Sequence, residues 1–588
     1  MSETIVSRLQ AHARNHGQAA AYSAKVGDAW ADTSWAEFDA QVSQVGRALI
    51  ALGVPAGGTL AILSFNRPEW AISCLGAMAA GSVPVGIYQT CAANQVSYIA
   101  QHAESKVLVV ENLEQWEKVR EVRDELSALE FVIVLGSEIP DAPGVLGWEE
   151  FLERGEGIDP SQLDQRHQAI QPDHLAVLIY TSGTTGTPKG VMLTHSNLME
   201  TARICDGLHG LGGGDSTLSY LPMAHIAEQM ISIHLAVYSG YQVYYAESIE
   251  KLAENLGEVR PTIFFGVPRV WERIHASVMA KVEAAPGWRR RLALWAFEVG
   301  RQVAGKRLRG EPVPGTLALR GRLADRLVLA KVRDKLGMGR IKLSSSGAAP
   351  IRYDVLEFFA ALGVVIYEVY GLSETCGPGT WNHAGLARLG TVGPVLPEIE
   401  LKIADDGEVL FRGANVFAGY FKNPEATAEA LADGWFHTGD IGSLDSDQFL
   451  TITGRKKELI ITSGGKNIAP SGIEAKLKQH ELIGEAVVIG DARRFLSALI
   501  VLEEEAGARF AAEHGIDGAL HEDPQLVAAV QGGVDQVNAT VARVESIRKF
   551  HVLPRPFSLE DGELTPTLKL KRQVIEANWA EVIEAMYA

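Results

Sequence analysis

The segment Thr181-Ser182-Gly183-Thr184-Thr185-Gly186-Thr187-Pro188-Lys189 gathers hydroxyls, two glycines and a terminal lysine into one short stretch. Those residue types suit phosphate. Glycine lets the backbone approach a ligand closely and aim successive N–H groups into one concavity. Hydroxyls add neutral donors or hold a metal ion, and lysine adds one mobile positive charge. The pattern is not that of nucleotide hydrolases, in which Gly-Lys is followed by Ser or Thr, because Lys189 stands between Pro188 and Gly190. A plain surface turn uses the same residues. The flanks favour phosphate: apolar Leu175-Ala176-Val177-Leu178-Ile179 predicts a buried strand before the loop. Ser196-Asn197 predicts the cap of a helix starting near Leu198 after it.

Other side chains with chemical potential sit at predicted strand ends. Ser344-Ser345-Ser346-Gly347 follows a strand predicted over 340–343, and Tyr370-Gly371-Leu372-Ser373-Glu374-Thr375 continues a strand predicted over 364–369. A carboxylate such as Glu374 repels a polyphosphate unless a cation bridges them. Trp435-Phe436-His437-Thr438-Gly439-Asp440 ends in a short acid that can accept from two sugar hydroxyls or merely close a turn. Gly454-Arg455-Lys456-Lys457-Glu458 is a charged block, and Leu568-Lys569-Leu570-Lys571-Arg572 precedes the last helical pattern. Both also read as solvated surface charge. His225, after Leu221-Pro222-Met223-Ala224, is either a satisfied helix-start residue or a site residue.

Taken in order, these blocks resemble the adenylate-forming superfamily of acyl-CoA synthetases, luciferases and peptide-synthetase adenylation domains, and its long-chain fatty acyl-CoA synthetase branch in particular. The resemblance implies an ATP site made from Thr181, Ser182, Gly183, Thr184, Thr185, Gly186, Lys189, Gly347, Glu368, Tyr370, Gly371, Ser373, Asp440, Arg455 and Lys457. It implies adenine stacked beside Tyr370, Mg2+ held by Thr181 and Glu374, ribose on Asp440, and His225 between nucleotide and carboxylate. Lys569 is implied as the lysine that enters for adenylation. The family's usual Gly-Lys-Ile-x-Arg has Leu568 in place of its glycine here, and Lys571 is the competing choice. The stretch from Thr262 to Ile274 resembles the wall beside the acyl channel. The implied reaction joins a fatty acid to AMP with loss of pyrophosphate, then to coenzyme A. Lys457 is the implied pivot between domains.

The elements that must position these residues alternate. Trp35 to Leu52 has helical spacing, Thr59 to Ser64 reads as a strand, and Pro68 opens the next helix. Strands alternating with helices predict an α/β fold: a large N-terminal domain, 1–455, of mixed and parallel sheets flanked by helices, plus a small mobile α+β domain, 456–588. The 588 residues suffice for both, and a net charge of -18 argues against general nucleic-acid binding. Four scattered cysteines suggest neither a metal site nor a disulfide framework, so a reducing, cytoplasmic setting is expected. No signal peptide is visible, and Gly81, Pro84 and Gly86 interrupt the apolar run over 78–88 well short of a membrane span.

Residues 289–342 depart from the rest: fifteen lysines and arginines stand against four acids, a net of +11 inside an acidic chain. Leucine and tryptophan interleave the charges, which predicts amphipathic helix. The segment is either a solvated helical face or a surface for anionic membrane. Rival functions stay open at this level: an acyl or aryl acid of another kind as substrate, a carrier protein as acceptor, or a nucleotide-binding regulator without catalysis.

Overall fold

Strand Thr59–Leu63 is buried along its length and lies parallel between Val83–Ile87 and Val107–Val110. Covered on both faces, such strands read as continuous apolar runs rather than alternating ones. They belong to an eight-stranded sheet, in the order Gly419–Tyr420, Lys189–Thr194, Leu175–Thr181, Val83–Ile87, Thr59–Leu63, Val107–Val110, Phe131–Val134 and Val145–Gly147. Helices Pro68–Ala79, Ala93–His102 and Leu113–Glu121 make the crossovers between parallel strands. Leu63, Val85, Leu108, Val132 and Leu178 share its core.

A second eight-stranded sheet runs Gly377–Trp381, Ile366–Leu372, Leu343–Ser346, Ile263–Gly266, Ser216–Ser219, Gln242–Tyr245, Ala20–Val26 and Ala29–Ser34, with its inner strands parallel. Phe264, Trp271 and Phe359 anchor the core that joins this sheet to its helices. The computed structural model describes residues 3–181, 187–463, 466–565 and 569–588, less the Asn467 side chain. Ser182, Gly183, Thr184, Thr185 and Gly186 of the first loop, and Leu568, lie outside the described residues.

Two units emerge. Both large sheets belong to the first, which takes residues up to 181, 188–401 and 411–436; the second is built chiefly from 402–410 and 437–588. In the second unit, Ile483–Ile489 pairs antiparallel with Leu496–Leu502, which pairs parallel with Ile547–Val552. Helices Pro470–Leu477 and Pro524–Asn538 cover that small sheet through Ile473, Leu477, Leu526 and Val530. The α/β class expected from the sequence holds.

Three local expectations are corrected. The helix after the first loop begins at His195, not near Leu198, because Thr194 is its N-cap. Thr194 Oγ1 accepts the Asn197 N–H at 3.1 Å, while Asn197 Oδ1 accepts the Thr194 N–H at 2.9 Å. Strand Lys189–Thr194 therefore intervenes, and the loop joins two antiparallel strands rather than a strand and a helix. The strand expected over 340–343 is Leu343–Ser346. Its three serines have weak strand preference, but parallel neighbours on both sides override it, and Ser344 Oγ donates to Val365 O at 2.7 Å. Finally, the turn expected over 419–424 begins with a two-residue strand, Gly419–Tyr420, paired with Lys189–Thr194.

Candidate active site

Thr181 stands directly opposite Lys189, so the feet of the first loop are fixed by the strand pair that carries it. Tyr98 Oη donates to Pro188 O at 3.0 Å, and the Phe421 N–H donates to Gly190 O at 2.8 Å. Lys189 is exposed, with Nζ 4.6 Å from the centre of the Tyr420 ring. The Tyr420 hydroxyl donates to Glu374 Oε1 at 2.8 Å. Burial and the neighbouring carboxylate push the phenol up, which keeps the proton on Tyr420 and leaves Glu374 the acceptor. Lys189, Tyr420 and Glu374 thus form a cation–ring–carboxylate line within the first unit. Tyr420 is the residue that sequence reasoning missed. A two-residue strand has no periodicity, and Gly-Tyr-Phe-Lys-Asn-Pro carries turn signals.

Glu374 lies in a single turn, Ser373–Thr375, after strand Ile366–Leu372. The turn is tied twice: the Leu372 N–H donates to Thr375 Oγ1 at 2.8 Å, and the Phe417 N–H donates to Glu374 O at 2.9 Å. The Tyr370 ring packs at 29° to Phe411, with centroids 6.1 Å apart. Gly371 admits no side chain, since a Cβ there would sit 1.8 Å from Gly377 O. At Gly347 a Cβ would sit 2.8 Å from Val369 O. Beside it the buried Ser346 Oγ has no hydrogen-bond partner among the described residues. Gly347 and Tyr370 lie at or just past the carboxyl ends of parallel strands, where open α/β sheets bind ligands. The two glycines let neighbouring backbone pack closely at that strand end, and the orphaned hydroxyl beside them suits a ligand.

Glu368 is brought to the same strand, but its carboxylate turns into a buried site and accepts the Gly390 N–H at 2.7 Å. Burial pushes it up to about 8. The unfolded chain releases that proton near 4.5, the ordinary value. Between those pH values the folded state binds more protons, so this group's contribution to stability falls as pH rises from about 4.5 to about 8. Melting temperatures of wild type and Glu368→Gln at pH 5 and pH 8 check this. The variant should gain on wild type toward pH 8, and a difference constant with pH would refute it.

His225 caps the helical turn Ile226–Gln229, its Nδ1 accepting the Ala227 N–H at 3.1 Å. Directly behind it the fully buried Glu228 accepts from Ser219 Oγ and Ser232 Oγ, each at 2.6 Å. Burial pushes Glu228 up to about 7. Asn66 Nδ2 completes the network, donating to Ser219 Oγ at 2.8 Å and Leu221 O at 2.6 Å. This polar core pins the Leu221–His225 loop. No sequence signal pairs Asn66 with Glu228, which are far apart in the chain.

The remaining candidates belong to the second unit. Asp440 is buried, and Arg455, opposite it on the next strand, reaches its Oδ1 with Nε at 3.0 Å. Lys456 binds Asp406 and the buried Glu408 at 2.6 and 3.0 Å. Lys457, in the same short turn Lys456–Glu458, is exposed and makes no ion pair among the described residues. Lys569 is exposed on a segment whose feet are paired. The Thr565 N–H donates to Lys569 O at 2.8 Å, the Lys569 N–H to Thr565 Oγ1 at 3.0 Å, and Leu564 bridges Leu570. Arg572, three residues on, is buried against Glu474. Lys571 is half-buried.

No group of three or more His, Cys, Asp or Glu able to hold a metal occurs among the described residues. Mg2+ is ordinarily held by one or two side-chain oxygens, with substrate phosphate and water supplying the rest. Glu374, partly exposed and with one oxygen engaged by Tyr420, fits such a contact, as does the Thr181 hydroxyl at its strand end.

Comparison with known proteins adds the following. Residues 9–421 match the family model of the AMP-binding enzymes, and residues 457–588 match that of the AMP-binding enzyme C-terminal domain. The chain is 39% identical over 594 residues to long-chain-fatty-acid–CoA ligase FadD15 of Mycobacterium bovis, covering 100% of this chain and 97% of that protein. It is 37% identical over 621 residues to long-chain-fatty-acid–CoA ligase ACSBG2 of Xenopus laevis, covering 99% of this chain and 84% of that one. Among solved structures, the anthranilate CoA ligase AuaEII in complex with anthranoyl-AMP superposes with a TM-score of 0.74 over 99% of this chain and 98% of that one. At 20% identity that likeness speaks for the fold alone.

Proposed function

The chain belongs to the AMP-binding enzyme family, and from that premise we propose that it is an ATP-dependent long-chain fatty acid–CoA ligase. The observation that carries this reading is 39% identity running the length of both chains to a protein named for that activity. A fatty carboxylate attacks the α-phosphate of ATP, forming the C–O–P bond of the acyl-adenylate and expelling pyrophosphate. The coenzyme A thiol then takes the acyl group and AMP leaves. With a pKa near 4–5 the acid is already ionised, so no general base is required. The barrier is that of driving an anion onto an anion.

The residues of this chain address that barrier by position and charge. Tyr370 offers a ring for adenine, Gly347 and Gly371 let the strand ends that bind the nucleotide pack closely, and Asp440 accepts from the ribose hydroxyls. Ser182 to Gly186, with Lys189, surround the phosphates; Ser373 and Glu368 hold the strand end that carries Glu374. Mg2+, held by Glu374 and Thr181, would supply positive charge to the phosphate oxygens. His225 borders the carboxylate, and Arg455 reaches the nucleotide. Glu374→Gln should raise the Mg2+ concentration for half-maximal activity several-fold. Asp440→Ala should raise the KM for ATP at least tenfold, since a hydrogen bond to a charged group contributes about 1.5–3 kcal/mol. Unchanged Mg2+ and ATP titrations would refute both roles.

The functional boundary falls at 455/456, with 456–588 as the mobile part. The C-terminal family match beginning at residue 457 supports this, as does the short turn at Lys457, the kind of position that absorbs a rotation. Four buried free cysteines fit a cytoplasmic setting. The substrate partitions into bilayers, which fits an enzyme working at an anionic membrane surface, and the basic segment 289–342 is the candidate for that contact. The deciding experiment measures AMP release over a panel of fatty acids with coenzyme A. Release should depend on acid and rise with chain length into the long-chain range; best activity with an aryl acid, or release only with a carrier protein, would overturn the reading.

A further inference from the structure

The segment Gly287–Lys335 folds into helix Gly287–Leu308, helix Gly315–Ala324, a π-turn Asp325–Leu329 and helix Ala330–Lys335. One side packs inward: Ala296, Val299, Ala324 and Leu329 join the core of the second large sheet. The outer side is not an ordinary solvated face. Leu319, Leu323 and Leu327, spaced by four and so on one side of the helix, are 68%, 50% and 40% exposed. Arg320, Arg322 and Arg326 are exposed among them. On the neighbouring helix Trp288 is 65% and Leu294 43% exposed, with Arg289, Arg290 and Arg291 exposed between them.

The charges are not neutralised by the rest of the chain. Five of the fifteen cations in 289–342 are held by acids: Arg301 by Glu298, Lys306 and Arg309 by Glu311, Arg333 by Asp325, and Lys342 by Asp215. The other ten, including all six arginines just named, make no ion pair among the described residues. All four acids of the segment are already engaged, Asp334 by Arg260. Exposed leucine and tryptophan set among unpaired arginines is the composition of a helix lying in a membrane interface, with no helix among the described residues long and apolar enough to cross it.

We propose that this outer face binds anionic lipid, with Leu319, Leu323 and Leu327 entering the headgroup boundary and the unpaired arginines meeting lipid phosphate. The proposal rests on the reading of the chain as a long-chain acid ligase, since the same bilayer holds the substrate. The apolar stripe selects a bilayer over an acidic protein or a second, acidic copy of this chain: a purely electrostatic partner would leave the leucines in water.

The test is co-sedimentation of the full chain with phosphatidylcholine vesicles containing about one-third phosphatidylglycerol, against pure phosphatidylcholine. Binding should require the anionic lipid and fall steeply with salt. Each cation near such a surface is worth about a fivefold gain in partitioning. The triple change Arg289→Ser, Arg290→Ser, Arg291→Ser should therefore weaken binding by tenfold or more. Leu319→Ser, Leu323→Ser, Leu327→Ser should also weaken it at least tenfold while leaving the salt dependence in place. Both variants should keep wild-type AMP release with a soluble medium-chain acid and no vesicles, which reports folding and the ligase reading separately. Equal binding to neutral vesicles would overturn the proposal, as would wild-type binding by the leucine variant. So would a face that instead drives concentration-dependent self-association.

Discussion

Lys569→Ala should lose acyl-adenylate formation by about 10³-fold, while the same variant converts supplied acyl-adenylate and coenzyme A to product within a few-fold of wild type. The magnitude is that of removing one preorganised charge from a developing anion in acyl or phosphoryl transfer. The split follows from the mobile-domain reading, in which Lys569 enters the site for the first half-reaction only. Its surroundings suit that role. The side chain is exposed, while the backbone on either side is tied by the Thr565–Lys569 hydrogen bonds and the Leu564–Leu570 bridge. Lys571→Ala is the control. Lys571 stands at the N-cap position of the following helix without a side-chain capping hydrogen bond, and its backbone N–H, which alanine keeps, donates to Glu563 O, so the change should cost adenylation little. Pyrophosphate exchange measures the first step and thioester formation from synthetic adenylate the second. Equal loss of both in Lys569→Ala, or the large loss appearing in Lys571→Ala instead, would reassign the role.

What was legible in the sequence was whatever local physics dictates. Thr59 to Ser64 read as a strand, which the structure has over Thr59–Leu63, and Pro68 marked a helix start. Trp35 opens a helix whose Ser34–Glu37 pair forms a capping box. The fold class followed from their alternation. What stayed hidden was set by partners distant in the chain. Tyr420 faces Glu374 only because two residues pair with Lys189–Thr194 and so become an edge strand of the first sheet. Ser344, Ser345 and Ser346 form a strand because parallel neighbours recruit them. Glu368 was implied by the resemblance as a nucleotide contact; the structure buries its carboxylate, which raises its pKa, although the Gly390 N–H donates to it and opposes that rise. In the segment 289–342 the sequence left solvated face and membrane surface level, because it shows charge but not pairing. The structure adds the pairing, with ten of the fifteen cations making no ion pair among the described residues, and vesicle binding decides between the two.

Arg572→Met should destabilise the second unit by about 3–5 kcal/mol, the cost of leaving a buried carboxylate without its partner. The sequence offered Arg572 only as the arginine three residues past Lys569; the structure makes it an anchor. Its guanidinium binds both oxygens of Glu474 and donates to Val488 O at 3.1 Å, with Glu458 3.7 Å away. Glu474 in turn accepts the Val488 N–H at 2.7 Å, so helix Pro470–Leu477 and strand Ile483–Ile489 meet at one ion pair. Burial disfavours the charge on Arg572, but Glu474 and Glu458 more than offset it and raise the guanidinium above its ordinary value. The other foot of the Lys569 segment has a matching anchor, Glu563, which is fully buried, bound by Arg555 at 2.7 Å and receives the Trp579 indole N–H at 2.9 Å. Two buried acids thus hold the segment while Lys569 itself stays exposed. Urea unfolding of the wild type, Arg572→Met and the double variant Glu474→Gln, Arg572→Met measures the coupling. The double variant should recover at least half the loss, because the uncompensated charge is gone. Adenylation in the double variant should still be impaired more than thioester formation, since the lysine's foot is loosened without harm to the second step. A single variant within about 1 kcal/mol of wild type, the range of an exposed pair, would mean that Arg572 neither anchors the segment nor explains why an arginine follows the lysine at that spacing.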